Sequence, residues 1–176
     1  MAEDVERKHE IAGRCGDADE SASRSLSELV PAAVLQLGSL EVALPTTEVE
    51  AVVTVEDLVK VPLSPQSLAG VAVFGGEPAP VLDLSVLLGV KPPRSGGFVA
   101  AVLCRVGDGV VALMGGRIRR VGRMRQGPLD MKWRFARFGV EWRGRVVPLL
   151  DPELLLAAVR SGGALEPAKD RAHHGR

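Results

Sequence analysis

The chain has 176 residues, 46% hydrophobic and 25% charged, which are globular proportions sufficient for one sizeable core or two small ones. Its 22 Lys and Arg balance 22 Asp and Glu, so no global field selects nucleic acid or an anionic membrane as partner. Cys15 and Cys104 lack close-spaced companions, which speaks against a zinc site or a disulfide framework. With no signal-peptide pattern and no unbroken run of about 18 apolar residues, a cytoplasmic protein without membrane insertion is expected.

In chain order, residues 1–30 are acidic, rich in Ser and Ala and poor in large apolar groups, which predicts a disordered leader. The folded body spans 31–161. Apolar runs at 33–37 and 40–44, joined by Gly38-Ser39, predict a hairpin. Val52-Val53-Thr54-Val55 reads as a strand, and the prolines of Val61-Pro62-Leu63-Ser64-Pro65 as an extended connector. A second hairpin, 71–74 with 80–82, turns at Gly75-Gly76 and leads to Asp83, the expected cap of a short helix that ends at Gly89. Residues 99–105 and 110–113 form a third hairpin around Gly107-Asp108-Gly109, and 138–142 and 145–150 a fourth around Arg143-Gly144. Asp151 caps a final helix with Pro152 at its first position and Leu154, Leu155 and Val159 on one face, stopped by Gly162. Residues 162–176 are expected to be a flexible tail.

The sequence says much of this twice. Pro80-Val81-Leu82-Asp83-Leu84 and Pro148-Leu149-Leu150-Asp151-Pro152 place their aspartates 68 residues apart, and Val42-Ala43-Leu44 returns 69 residues later as Val111-Ala112-Leu113. Such repetition marks a duplicated structural unit. Strands this short do not support an open sheet with bare edges, so each copy is expected to close into a small barrel.

Catalytic constellations are hard to build from the body. Its only histidines would be His9, His173 and His174, all in the expected leader and tail, so Ser-His-Asp, Cys-His and His-metal sites are excluded from it. Asp83 and Asp151 are explained by capping, Cys104 by strand packing, and Gly75-Gly76 and Gly115-Gly116 lack the spacing of phosphate-binding loops. No cofactor is expected. The rival signal is charge: Arg117, Arg119, Arg120, Arg123, Arg125, Lys132, Arg134, Arg137, Arg143 and Arg145 face only Asp130 and Glu141, with Trp133, Phe135 and Trp142 interleaved. That tract suits an oligonucleotide-binding barrel face with stacking platforms, or equally a patch for an acidic protein.

Val61-Pro62-x-x-Pro65-x-x-Leu68-x-Gly70-Val71, Gly76 followed by Pro80-Val81-Leu82-Asp83-Leu84, and Gly144-Arg145-Val146-Val147-Pro148-Leu149-Leu150-Asp151 together resemble the CheW-like domain of bacterial chemosensory systems. The resemblance implies an all-β fold with minor helix: two five-stranded, SH3-like barrel subdomains side by side, here drawn at about 45–100 and at about 31–44 with 101–161. It implies a noncatalytic adaptor that binds the cytoplasmic domain of a chemoreceptor and a CheA-type histidine kinase, or another CheW-like protein. The family's Asn-Leu-Arg-Gly turn reads Val73-Phe74-Gly75-Gly76 here, so Gly75 replaces the arginine associated with receptor coupling. The family's Val-x-Glu-Ile, implicated in kinase contact, reads Val49-Glu50-Ala51-Val52, so Ala51 stands where a carboxylate is expected. The second copy's Val-Asp-x-Val reads Gly115-Gly116-Arg117-Ile118. Val49, Glu50, Ala51, Gly70, Val71, Phe74, Gly75 and Gly76 are the expected partner-binding residues, with the crevice between barrels as a second contact region.

Overall fold

Short β-branched runs separated by two-residue turns produce ten strands and two helices among the residues that the computed structural model describes, 28–91, 100–129 and 132–161. In chain order they are β1 (Leu29–Leu37), β2 (Leu40–Pro45), β3 (Val49–Thr54), β4 (Leu68–Phe74), β5 (Glu77–Asp83), α1 (Leu84–Leu87), β6 (Ala100–Val106), β7 (Gly109–Met114), β8 (Arg117–Gly127), β9 (Ala136–Trp142), β10 (Arg145–Leu150) and α2 (Pro152–Arg160). The four expected hairpins are present as β1–β2, β4–β5, β6–β7 and β9–β10. The expected leader up to residue 27 and the tail from 162 lie outside the described residues. Leu29 and Val30, assigned to the leader, instead extend β1, because β8 runs far enough to pair them with Arg125 and Met124.

The strands form two five-stranded units. One is a closed barrel in the order β1-β2-β10-β9-β8, and the other a sheet in the order β3-β6-β7-β5-β4. Pairing is exchanged between the two sequence copies. Hairpin β1–β2 of the first copy joins β8, β9 and β10 of the second, while hairpin β6–β7 of the second joins β3, β4 and β5 of the first. Each exchange is made by one parallel and one antiparallel pairing: β2 with β10 and β1 with β8 for the first hairpin, β7 with β5 and β6 with β3 for the second. Strand pairing groups 29–45 with 117–150, as drawn from sequence, whereas residues 100–114, drawn with that same subdomain, pair instead with 49–83. The second unit has the barrel's strand order without its closing pair. Its β4 edge is instead covered by the connector, where Val59 and Val71 exchange two backbone hydrogen bonds of 2.9 and 2.8 Å.

The exchange explains why the inner strands read as unbroken apolar runs. In β2, Ala43 faces its own barrel while Val42 and Leu44 face a core shared by both units. In β7, Ala112 faces its own sheet while Val111 and Leu113 face the same shared core. The recurring Val-Ala-Leu is thus a small residue inside a tight module flanked by two large ones between modules. The helices close this core from the ends. Asp83 accepts from the amides of Ser85 and Val86 and starts α1; Asp151 accepts from Glu153 at 2.9 Å and Leu154 at 3.2 Å and starts α2. Both caps stand as the sequence predicts, and Leu84, Leu87, Leu155 and Val159 pack into the shared core.

Candidate partner-binding surface

The expected partner-binding residues divide between the two edge strands of the second unit. Val49, Glu50 and Ala51 lie on β3; Gly70, Val71 and Phe74 lie on β4; Gly75 and Gly76 form the β4–β5 turn. These strands sit at opposite ends of the sheet order, and only Ala51 and Phe74 pack against the same apolar cluster, with Ala72, Val81 and Leu103. Val49 packs against the shared core. Glu50 is exposed and pairs with Arg105 of the neighbouring β6. Phe74 is half-buried against its own sheet, so it supports the hairpin tip more than it projects from it.

Gly70 has a reason the sequence did not disclose. A Cβ there would lie 2.4 Å from the Val59 carbonyl oxygen, so the missing side chain admits the connector. At the turn, Gly75 and Gly76 have φ of +60° and +91°, the paired left-handed conformations of a two-residue hairpin loop. The corresponding turn of the second copy, Arg143-Gly144, holds φ of +50° and +76°. An arginine is therefore already accommodated at the first position of that turn elsewhere in this chain.

Alternation along β4 buries Gly70 and Ala72 and turns Val71 and Val73 outward. Val71 lies opposite Pro80 and Val73 opposite Pro78, so the outer face of the hairpin is apolar but for its tip. The connector brings further exposed apolar side chains beside this strand, Val59 opposite Val71, then Val61 and Leu63, with Leu58 lying over Gly70; Val59 and Val73 are each 66% exposed. Leu63 stands furthest out. It is fully exposed and holds φ of +59°, at the third position of a turn in which Ser64 N–H donates to the Val61 carbonyl. Pro62 suits the second position of such a turn, but the third ordinarily takes glycine, and a branched side chain there is strained. The sequence reading saw the prolines and missed Val59, Leu63 and Val73, because only the pairing of connector with β4 brings them to one face.

A second concavity, a cleft of about 560 Å³, lies between the two units. Val30, Arg137, Phe138 and Leu149 line it from the barrel side, and Arg105, Val106 and Gly107 from the β6–β7 turn. Carboxylates gather at its floor. Burial, then the charges of Asp151 and Glu153, push the Glu48 carboxyl above its ordinary range. Arg137 offsets part of this through an ion pair of 3.6 Å to Asp151. None of the expected partner-binding residues lines this cleft. Cys104 is fully buried nearby, and burial followed by the charges of Glu48 and Glu50 pushes its thiol up to about 12, which makes it inert.

Several members of the basic tract are committed within the fold. Arg145 pairs with Glu41, Arg125 with Glu141 and Arg137 with Asp151. Burial raises the Glu41 carboxyl, but the Arg145 fork, the neighbouring Trp142 indole and the Arg143 charge outweigh it and leave the group below its ordinary range. Of the interleaved aromatics, Phe135 is buried in the shared core and Trp142 packs half-buried against the barrel interior, while Trp133 is half-buried outside the core clusters. Among the described residues, no group of His, Cys, Asp and Glu is placed to hold a metal ion, and no helix is long and apolar enough to cross a membrane.

The family model of the CheW-like domain matches residues 32–160, nearly the whole described body. Among solved structures, the scaffolding protein TtCheW from Thermoanaerobacter tengcongensis is similar with a TM-score of 0.63 at 16% identity, covering 73% of this chain and 92% of that one. No curated protein matches the chain.

Proposed function

Because this chain belongs to the CheW-like domain family, we propose that it is a noncatalytic cytoplasmic adaptor that holds the cytoplasmic domain of a chemoreceptor on the outer face of the β4–β5 hairpin and its connector. The observation that carries the reading is Leu63. A leucine that is fully exposed and held in a left-handed conformation contributes nothing to the core and costs the fold about 1–2 kcal/mol. Such a residue is accounted for by contact with another molecule, where an apolar anchor on a surface that also exposes Val59, Val61 and Val73 would be desolvated. Sites of strain in otherwise relaxed folds cluster at functional positions.

Coupling to a CheA-type kinase is the weaker half of the adaptor role here. The β3 segment offers Ala51 where the family carries a carboxylate, and its one acid, Glu50, is engaged by Arg105. The turn offers Gly75 in place of the family's arginine, which removes five directional donors. The oligonucleotide reading is weakened, since Phe135 and Trp142, two of its three aromatics, are packed inward.

A pull-down with the full chain separates these statements. We expect retention of a receptor cytoplasmic fragment and weak retention of the kinase regulatory domain. Capture of neither would refute the adaptor reading. In the same assay, Gly75→Arg with Ala51→Glu should strengthen kinase capture. The turn tolerates arginine, as Arg143 shows, so unchanged capture would mean these two losses are not what limits coupling.

A further inference from the structure

We propose that the outer edge of β8 is a second docking site, one that takes an extended acidic peptide segment as an added strand. At 11 residues β8 is the longest strand, and it outruns its neighbour: β9 pairs with it only at Gln126 and Gly127, while β1 covers its other side from Arg117 to Arg125. Along Arg117–Arg123 the edge facing away from β1 has no strand partner among the described residues, so alternate backbone donors and acceptors there face outward.

The side chains along this edge specify what can pair with it. Arg117, Arg119, Arg120 and Arg123 are all exposed, and none is in an ion pair with a carboxylate among the described residues. Arg123 makes one long hydrogen bond, 3.4 Å, to the Leu29 carbonyl. Arg120 and Arg123, three positions apart, project to opposite faces of the strand and so flank the edge on both sides. A register shift between Val34 and Leu35 of β1 leaves Arg119 as the extra residue of a bulge, which locally increases the strand's twist.

Charges and a bulge on an edge also serve to prevent self-pairing. That protection is selective. A second copy of this strand is repelled by like charge directly opposite, whereas a strand carrying Glu or Asp at alternate positions is attracted on both faces. Backbone pairing would supply affinity and the guanidinium groups specificity, the division of labour of strand addition. The edge belongs to the closed barrel and β4 to the other sheet, so a segment added here pairs with a different strand from the one proposed to face the receptor.

The test uses the full chain and three fluorescent probes in anisotropy titrations: a 12-residue peptide alternating Glu and Val, the same peptide with alternate amides N-methylated, and single-stranded DNA of equal charge. The acidic peptide should bind, losing affinity as salt rises. The N-methylated peptide should bind at least tenfold more weakly, since it keeps the charge and loses the ladder. Arg120→Glu with Arg123→Glu should abolish binding of the acidic peptide while leaving receptor capture unchanged. Equal binding of the methylated peptide would overturn strand addition, and equal or tighter binding of DNA would overturn the choice of an acidic peptide. No binding of the acidic peptide by a chain that still captures the receptor fragment would overturn the site itself and leave the adaptor reading intact.

Discussion

Two side chains, Leu63 and Glu48, are set against the stability of this molecule, for different physical reasons. At Leu63, replacement by glycine removes the left-handed strain and adds back some chain entropy, a net gain of about 1 kcal/mol or less. We expect Leu63→Gly to raise the melting temperature slightly and to weaken receptor binding by at least about tenfold, as for the loss of a central apolar anchor. A variant that loses stability and keeps binding would make Leu63 an ordinary turn residue. At Glu48 the cost is electrostatic. Its folded-state pKa is raised, so folding is penalised wherever the group is ionised, and the penalty disappears as pH falls below the unfolded carboxylate value. Glu48→Gln should therefore stabilise the protein near neutral pH and have no effect in acid, as read from denaturant midpoints across pH. Glu41 runs the other way. Its lowered pKa adds stability above the unfolded value that is lost as pH falls through the folded one, so Glu41→Gln should destabilise at neutral pH and not in acid.

At the scale of elements, the hairpins were legible because each joins two β-branched runs through glycine-bearing turns, and the helices because Asp83 and Asp151 stand where a cap must. The long strand β8 was not legible. Arginines at five of its positions mask the alternation, and its regularity comes from pairing with β1 and not from its own pattern. The connector was read only as extended, since nothing local shows that Val59 meets Val71. Gly70→Ala tests that contact. The new methyl group would lie 2.4 Å from a backbone oxygen, and we expect a loss of about 1–3 kcal/mol together with faster amide exchange at Val59 and Val71. Unchanged exchange at both amides would show that the connector is not held there.

For the whole molecule, duplication was visible in the sequence and the resemblance already drew 31–44 with the second copy, but the return exchange of β6–β7 was not visible, because the two copies are nearly equivalent locally and either partition satisfies the same short-range pattern. What decides it is the shared core: Leu35, Leu44, Leu113 and Leu150 from both units are all essentially inaccessible to solvent. Each such side chain contributes roughly 1.5–3 kcal/mol on burial, so the units should not melt separately. Calorimetry should show one transition, and Leu113→Ala should cost about 2–5 kcal/mol while leaving that transition single. Two resolved transitions would contradict a common core.

The adaptor role rests on where a partner lands on this frame. Hydrogen–deuterium exchange of the full chain, with and without a receptor cytoplasmic fragment, locates it directly. Protection should concentrate at residues 57–64 and 71–74, across the connector and the outer edge of the hairpin. Binding without protection there, or protection confined to the cleft between the units, would contradict the assignment of the β4–β5 face.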